Sequence, residues 1–199
     1  MPTTLTFAQA GTVPIVGGTS LQCLQCLPAS NTNCSRGSPS RPSSGASPLP
    51  LANLTVVITS GSGGTGYLAI QMAKALGAAR VITAATGAGP MAWVRACGAD
   101  VVVDYMRHDI FDGVAPDTVD AVFDNYGGNG TADRAMASLK AGGTYLLLPH
   151  GNGQGALSKH PKVRGKVGGE GHAGENTGGQ FKWFIGYGVR IRTGLAVNF

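Results

Sequence analysis

One short segment limits this chain more than any other. Residues 54–59, LTVVIT, run directly into Gly61-Ser62-Gly63-Gly64-Thr65-Gly66, and an apolar helical pattern follows, with Leu68, Met72 and Leu76 at every fourth position. A β-branched run of this length reads as a strand covered on both faces. A glycine-rich turn between such a strand and a helix allows a tight bend, a close backbone approach to a pyrophosphate, and close helix–strand packing, one glycine for each. The first amides of the helix then present free N–H groups and a partial positive charge to phosphate. Gly77 suits a left-handed helix stop.

The surrounding pattern strengthens this reading. VIT (81–83), VVVD (101–104), VDAVFD (119–124) and TYLLL (144–148) read as further strands. Between them lie a helix opened by Pro90 and closed by Gly98, and another over 131–140. Alternating strands and helices imply an α/β, Rossmann-type doubly wound sheet with parallel strands and right-handed crossovers. Four regions are expected: an N-terminal helical segment (1–27, its helix over 11–27), a flexible or inserted linker (28–50), a nucleotide-binding core (51–150) and a Gly-rich basic segment (151–199). In the last, 182–191 reads as a sixth strand. The linker, PASNTNCSRGSPSRPSSGASPLP, is too poor in apolar side chains to offset its ordering entropy.

Composition narrows the function classes. Gly is 32 of 199 residues but follows no three-residue period, which excludes collagen. No apolar stretch approaches about 18 residues, so no membrane span is expected. The N-terminus lacks the charge and apolar pattern of a secretory leader, so a cytoplasmic location is expected, with organellar import left open. Net charge is +5, but residues 1–150 balance eight Lys/Arg against eight Asp/Glu. The excess lies in the last quarter, and no base-reading module accompanies it, so no specific nucleic-acid partner is expected.

Rival phosphate sites fail on single residues. A Walker A loop requires Lys after the last glycine, where Tyr67 stands. No tyrosine has a lysine four positions on, which removes a Tyr-x-x-x-Lys acid/base pair. An NAD site places a carboxylate about 20 residues after the loop, on the ribose hydroxyls. No acid occurs between Gly61 and Asp100, so NADP(H) is the expected cofactor.

AGTVPIVGGTSLQCLQ, TVVITSGSGGTGYLAIQMAKALGAARVITAAT, GADVVVDY, VDAVFDNYGG and LKAGGTYLLL, in this order, resemble the nucleotide-binding domain of the zinc-independent medium-chain dehydrogenase/reductase family. The quinone oxidoreductase and enoyl or alkenal reductase branch is nearest, over residues 11–27 and 54–148. The resemblance implies hydride transfer from NADPH to a quinone or an activated C=C, the cofactor carrying the chemistry. It implies that Gly63, Gly64, Thr65 and Gly66, with Gly61 before them, hold the pyrophosphate. Thr86 would lie near the adenosine ribose, Tyr105 on the adenosine side, and Asn125 toward the nicotinamide.

There are departures. No Lys or Arg lies between Arg80 and Arg95, where the family often places a lysine. The GroES-like substrate domain and the C-terminal strands and helices of the family are absent from the sequence. A truncated relative is therefore expected, with a catalytically inactive dinucleotide-binding fragment as the alternative and a homodimer left open. No catalytic residue is assigned: Tyr126 reads as a packing residue and His150 as structural or exposed.

Cys23, Cys26 and Cys34 have metal-like spacing, but Ser20 stands where the fourth ligand would be, so no metal is expected. Without a secretory leader a disulfide framework is not expected either. Cys97 reads as simply buried.

Overall fold

The computed structural model describes residues 5–27, 49–128, 130–148, 183–184 and 188–192. The chain opens with a helical run. Helix α1 (Phe7–Thr12) starts at a capping box, where Thr6 and Gln9 exchange side-chain-to-backbone bonds. A π-helical turn over Val13–Gly17 follows, and α2 (Gly18–Gln25) completes the run. Pro14 sits in the wide turn. Its missing N–H and bulky ring disrupt a regular α-ladder, and the π turn absorbs the mismatch. The helical run therefore begins four residues before the expected Gly11. Most of the expected linker, 28–48, lies outside the described residues.

Strand β1 (Thr55–Ile58), helix α3 (Gly64–Ala75), strand β2 (Arg80–Ala85), helix α4 (Ala88–Ala96), strands β3 (Val101–Asp104) and β4 (Val119–Asp124), helix α5 (Thr131–Ser138) and strand β5 (Leu139–Leu147) follow. Gly77 stops α3 at φ +92°, a left-handed conformation costly for any side chain. Helix α4 starts two residues before Pro90. A proline is tolerated in the first turn because its missing N–H has no intrahelical partner there.

The sheet order is β3-β2-β1-β4-β5-β7-β6. The first five strands are parallel. The expected sixth strand over 182–191 is instead two: β6 (Trp183–Phe184) and β7 (Gly188–Arg192), with β7 antiparallel to both β6 and β5.

Strand β5 begins at Leu139, five residues before expectation, directly from the end of α5. Its pairing with β4 jumps from Val119↔Leu139 to Ala121↔Thr144, so the extra residues form an irregularity.

Side chains alternate between two buried layers. Val56, Ile58, Val81, Phe123 and Leu146 face Leu24 of α2, Ile70 of α3 and Val94 of α4. Val57, Ile82, Val122, Tyr145 and Leu147 face Met136 of α5 and the segment with Ile110 and Phe111. Both sheet faces are covered, which is why the strands read as unbroken apolar runs. No helix among the described residues is long and apolar enough to cross a membrane. Strand order reverses between β1 and β4, and in open α/β sheets the ligand crevice lies at such a point, outside the carboxyl ends of the strands.

Candidate functional site

The glycine loop leaves β1 at this crevice. A Cβ on Gly66 would collide with the Ser60 carbonyl oxygen and lie 2.9 Å from Gly61 Cα. Gly66 thus lets α3 press against the loop. A Cβ on Gly61 would collide with the Thr83 side chain of β2. The first glycine is therefore required by the neighbouring strand, and it has no positive φ to support the expected turn role. Gly63 differs from both. Its backbone (φ −73°, ψ 163°) suits any residue, and a Cβ would meet nothing nearer than Ser60 Oγ at 3.2 Å. A Cβ on Gly64 would approach Val16 at 3.4 Å. Packing demands Gly61 and Gly66 far more than it demands Gly63 and Gly64.

Gly63 is also the N-cap of α3. It provides no side-chain cap, and no acidic residue occupies the first turn. The helix N-terminus keeps its partial positive charge and its donors toward the crevice, which suits an anion. Ser20 of α2 braces this turn, with Oγ 2.9 Å from the Thr65 carbonyl oxygen and 2.8 Å from that of Val16.

Strand β4 clamps the loop from the other side. Asn125, 5% exposed, accepts a hydrogen bond from Ser60 N at Oδ1 (2.8 Å). Its Nδ2 donates to Ser60 O (2.9 Å) and Thr65 Oγ1 (3.1 Å). The amide expected to face the nicotinamide is thus engaged by the glycine loop itself.

Asp124 beside it is fully buried and accepts four hydrogen bonds. They come from Thr59 Oγ1 (2.7 Å), Tyr126 N (3.0 Å), Gly127 N (2.8 Å) and Tyr145 Oη (2.6 Å). Burial, reinforced by this carboxylate, holds the Tyr145 phenol well above the ordinary tyrosine range. Sequence reasoning did not single out Asp124; its only local signal is an acid ending an apolar strand. Tyr126 is exposed, not packed as expected, because Asp124 holds its backbone at the crevice edge while its ring lies outside.

The ends of β2 and β3 form the far side. Thr86 Oγ1 donates to Asp104 Oδ1 (2.7 Å), and Met106 N donates to the same oxygen (3.1 Å). Chiefly through the Thr86 hydrogen bond, the Asp104 carboxyl sits below its usual range. Arg107 Nε lies 3.7 Å from Asp104 Oδ2, and Tyr105 is exposed next to it. A carboxylate therefore does stand beside Thr86. It comes from the adjacent strand, and a search along β2 alone misses it.

The structure thus brings Gly61, Gly63, Gly64, Thr65, Gly66 and Asn125 into one cluster and sets Thr86 and Tyr105 at the neighbouring strand ends. His150 lies outside the described residues.

Cys34, the third cysteine of the metal-like spacing, lies outside the described residues. Cys26 is disulfide-bonded, contrary to expectation, and Cys23 is a free thiol that burial pushes up to about 12. Neither offers a ready thiolate. Among the described residues no three His, Cys, Asp or Glu side chains cluster to hold a metal. Cys97 is half-buried, at the end of α4 where the chain leaves the helix.

Comparison with known proteins agrees with this architecture. The family described as zinc-binding dehydrogenase matches residues 64–164. A chloroplastic NADPH-dependent alkenal/one oxidoreductase of Arabidopsis thaliana is 35% identical over 97 residues, 49% of this chain and 24% of that protein. The quinone oxidoreductase of Coxiella burnetii shares 29% identity at TM-score 0.50, over 69% of this chain and 35% of that one. A mycobacterial protein solved in complex with NADPH shares 28% identity at TM-score 0.51, over 74% of this chain and 40% of that one. The match spans about a quarter of the curated relative's length. With a family match over half its length and a doubly wound sheet shared with these structures, this chain belongs to the medium-chain dehydrogenase/reductase family and carries its nucleotide-binding domain.

Proposed function

We propose that this chain binds NADP(H) across the carboxyl edge of the sheet, as the nucleotide-binding part of a reductase acting on quinones or activated C=C bonds. The observation that carries the reading is the contrast among the loop glycines. Gly61 and Gly66 are required by packing, whereas Gly63 and Gly64 leave the uncapped α3 N-terminus open. A pyrophosphate of the dinucleotide fits that gap in charge and in hydrogen-bond donors. The NADPH-dependent alkenal/one oxidoreductase and the NADPH-bound mycobacterial structure support the same cofactor.

In this reading Gly61, Gly63, Gly64, Thr65 and Gly66 form the pyrophosphate cradle. Thr86 and Tyr105 flank the adenosine ribose, and Asn125 fixes the cradle's shape from β4. When bound, the reduced nicotinamide supplies the hydride for a quinone or enone. The residues of this chain bind, orient and shield it.

The experiment mixes the full chain with NADPH and a quinone or an enone and follows loss of the reduced nicotinamide absorbance. Turnover above a no-protein control is expected. Saturable NADPH binding without turnover would leave a dinucleotide-binding fragment.

A further inference from the structure

We propose that Arg107 selects the 2′-phosphorylated dinucleotide, by offsetting the charge of Asp104 and presenting its guanidinium to the phosphate at the ends of β2 and β3. The inference rests on the dinucleotide reading above and assigns its cofactor specificity to one side chain.

Three observations lead to it. First, the adenosine ribose of a dinucleotide bound at the α3 N-terminus lies over the end of β2. The structure holds a carboxylate there, because Thr86 donates to Asp104 across the β2–β3 pair. The Thr86 and Met106 hydrogen bonds favour the ionised carboxyl, so it is charged at neutral pH. Left alone, such a carboxylate accepts hydrogen bonds from ribose hydroxyls and repels a phosphate.

Second, the turn after β2 supplies no cation, since Lys and Arg are absent between Arg80 and Arg95. Third, Arg107 supplies one from β3. Its backbone N donates to Asp104 O at 3.0 Å, which fixes the turn beside the carboxylate. Its Nε stands 3.7 Å from Asp104 Oδ2, a loose pair, and the side chain is 79% exposed. The remaining guanidinium donors are free to take a phosphate in the two-bond geometry that arginine favours. His108 in the same turn has its Nδ1 4.0 Å from Asp112 Oδ2 and adds a weaker positive influence on Asp104.

The test titrates the full chain with NADPH and with NADH, reading nicotinamide fluorescence, for wild type, Arg107→Ala, Arg107→Lys and the double variant Asp104→Asn with Arg107→Ala. Arg107→Ala is expected to weaken NADPH binding roughly tenfold and to leave NADH within about twofold, because only the phosphate loses its partner. Arg107→Lys should keep most of the preference. Removing the carboxylate in the double variant should recover part of the NADPH affinity. An Arg107→Ala protein whose NADPH-to-NADH ratio is unchanged, or in which both affinities fall alike, overturns this inference alone. A wild-type chain that binds neither dinucleotide overturns it together with the proposed function.

Discussion

The phenol of Tyr145 donates to Oδ2 of Asp124 at 2.6 Å, and both residues are fully buried at the carboxyl end of the sheet. Asp124 uses its other oxygen to hold Thr59 and the turn Tyr126–Gly127. One buried carboxylate thus joins β1, β4, β5 and the turn that borders the crevice.

Tyr145→Phe removes one of the four donors and leaves a buried acceptor less satisfied. It should cost about 1–3 kcal/mol in urea denaturation. The pH dependence has a defined sign. The folded phenol ionises well above its ordinary value, so its contribution is intact below the unfolded tyrosine pKa, about 10, and is lost progressively as pH rises past it. The wild-type melting temperature should fall more steeply above that pH than that of Tyr145→Phe. Equal slopes would show that the phenol is not held this way.

Gly66→Ala and Gly63→Ala should behave as opposites. A Cβ at position 66 runs into the Ser60 backbone, which cannot move without shifting the loop. That change should destabilise by about 4 kcal/mol or more, the range of backbone strain and overpacking at a fixed site. At position 63 only the Ser60 hydroxyl must give way, and the cost should stay within about 1 kcal/mol. Thermal unfolding of the two proteins tests the contrast. Similar losses would contradict the division of roles among the glycines.

Thr144 of β5 carries a fully buried hydroxyl that has no hydrogen-bond partner among the described residues. Thr144→Val keeps the branched shape and removes the unsatisfied group. It should raise stability by about 0.5–1 kcal/mol in chemical denaturation. A destabilised variant would reveal a partner for this oxygen.

Local sequence signals account well for the parallel core. Double-sided burial makes β1, β2 and β4 contiguous apolar runs, and glycine marks where α3 must stop and where its first turn meets the loop. Contacts across strands leave no such trace. Thr86 meets Asp104, and Asn125 clamps Ser60 and Thr65, through pairings set only by sheet register. For that reason the acid beside Thr86 escapes a search along β2, and no local signal shows that the Asn125 amide holds the loop. The π turn at Pro14 and the early start of β5 show the same limit. A helical period or an apolar run gives an element's type, but the ladder that decides its ends belongs to the neighbours.

Binding at the loop is the claim on which the rest stands, and a fluorescence titration of the full chain with NADPH, run beside Gly63→Val, tests it most directly. Saturable enhancement by the wild type is expected, with its loss in a variant that still unfolds cooperatively near the wild-type temperature. A wild type that shows no saturation, or a folded Gly63→Val protein that binds NADPH as tightly as the wild type, would contradict the account.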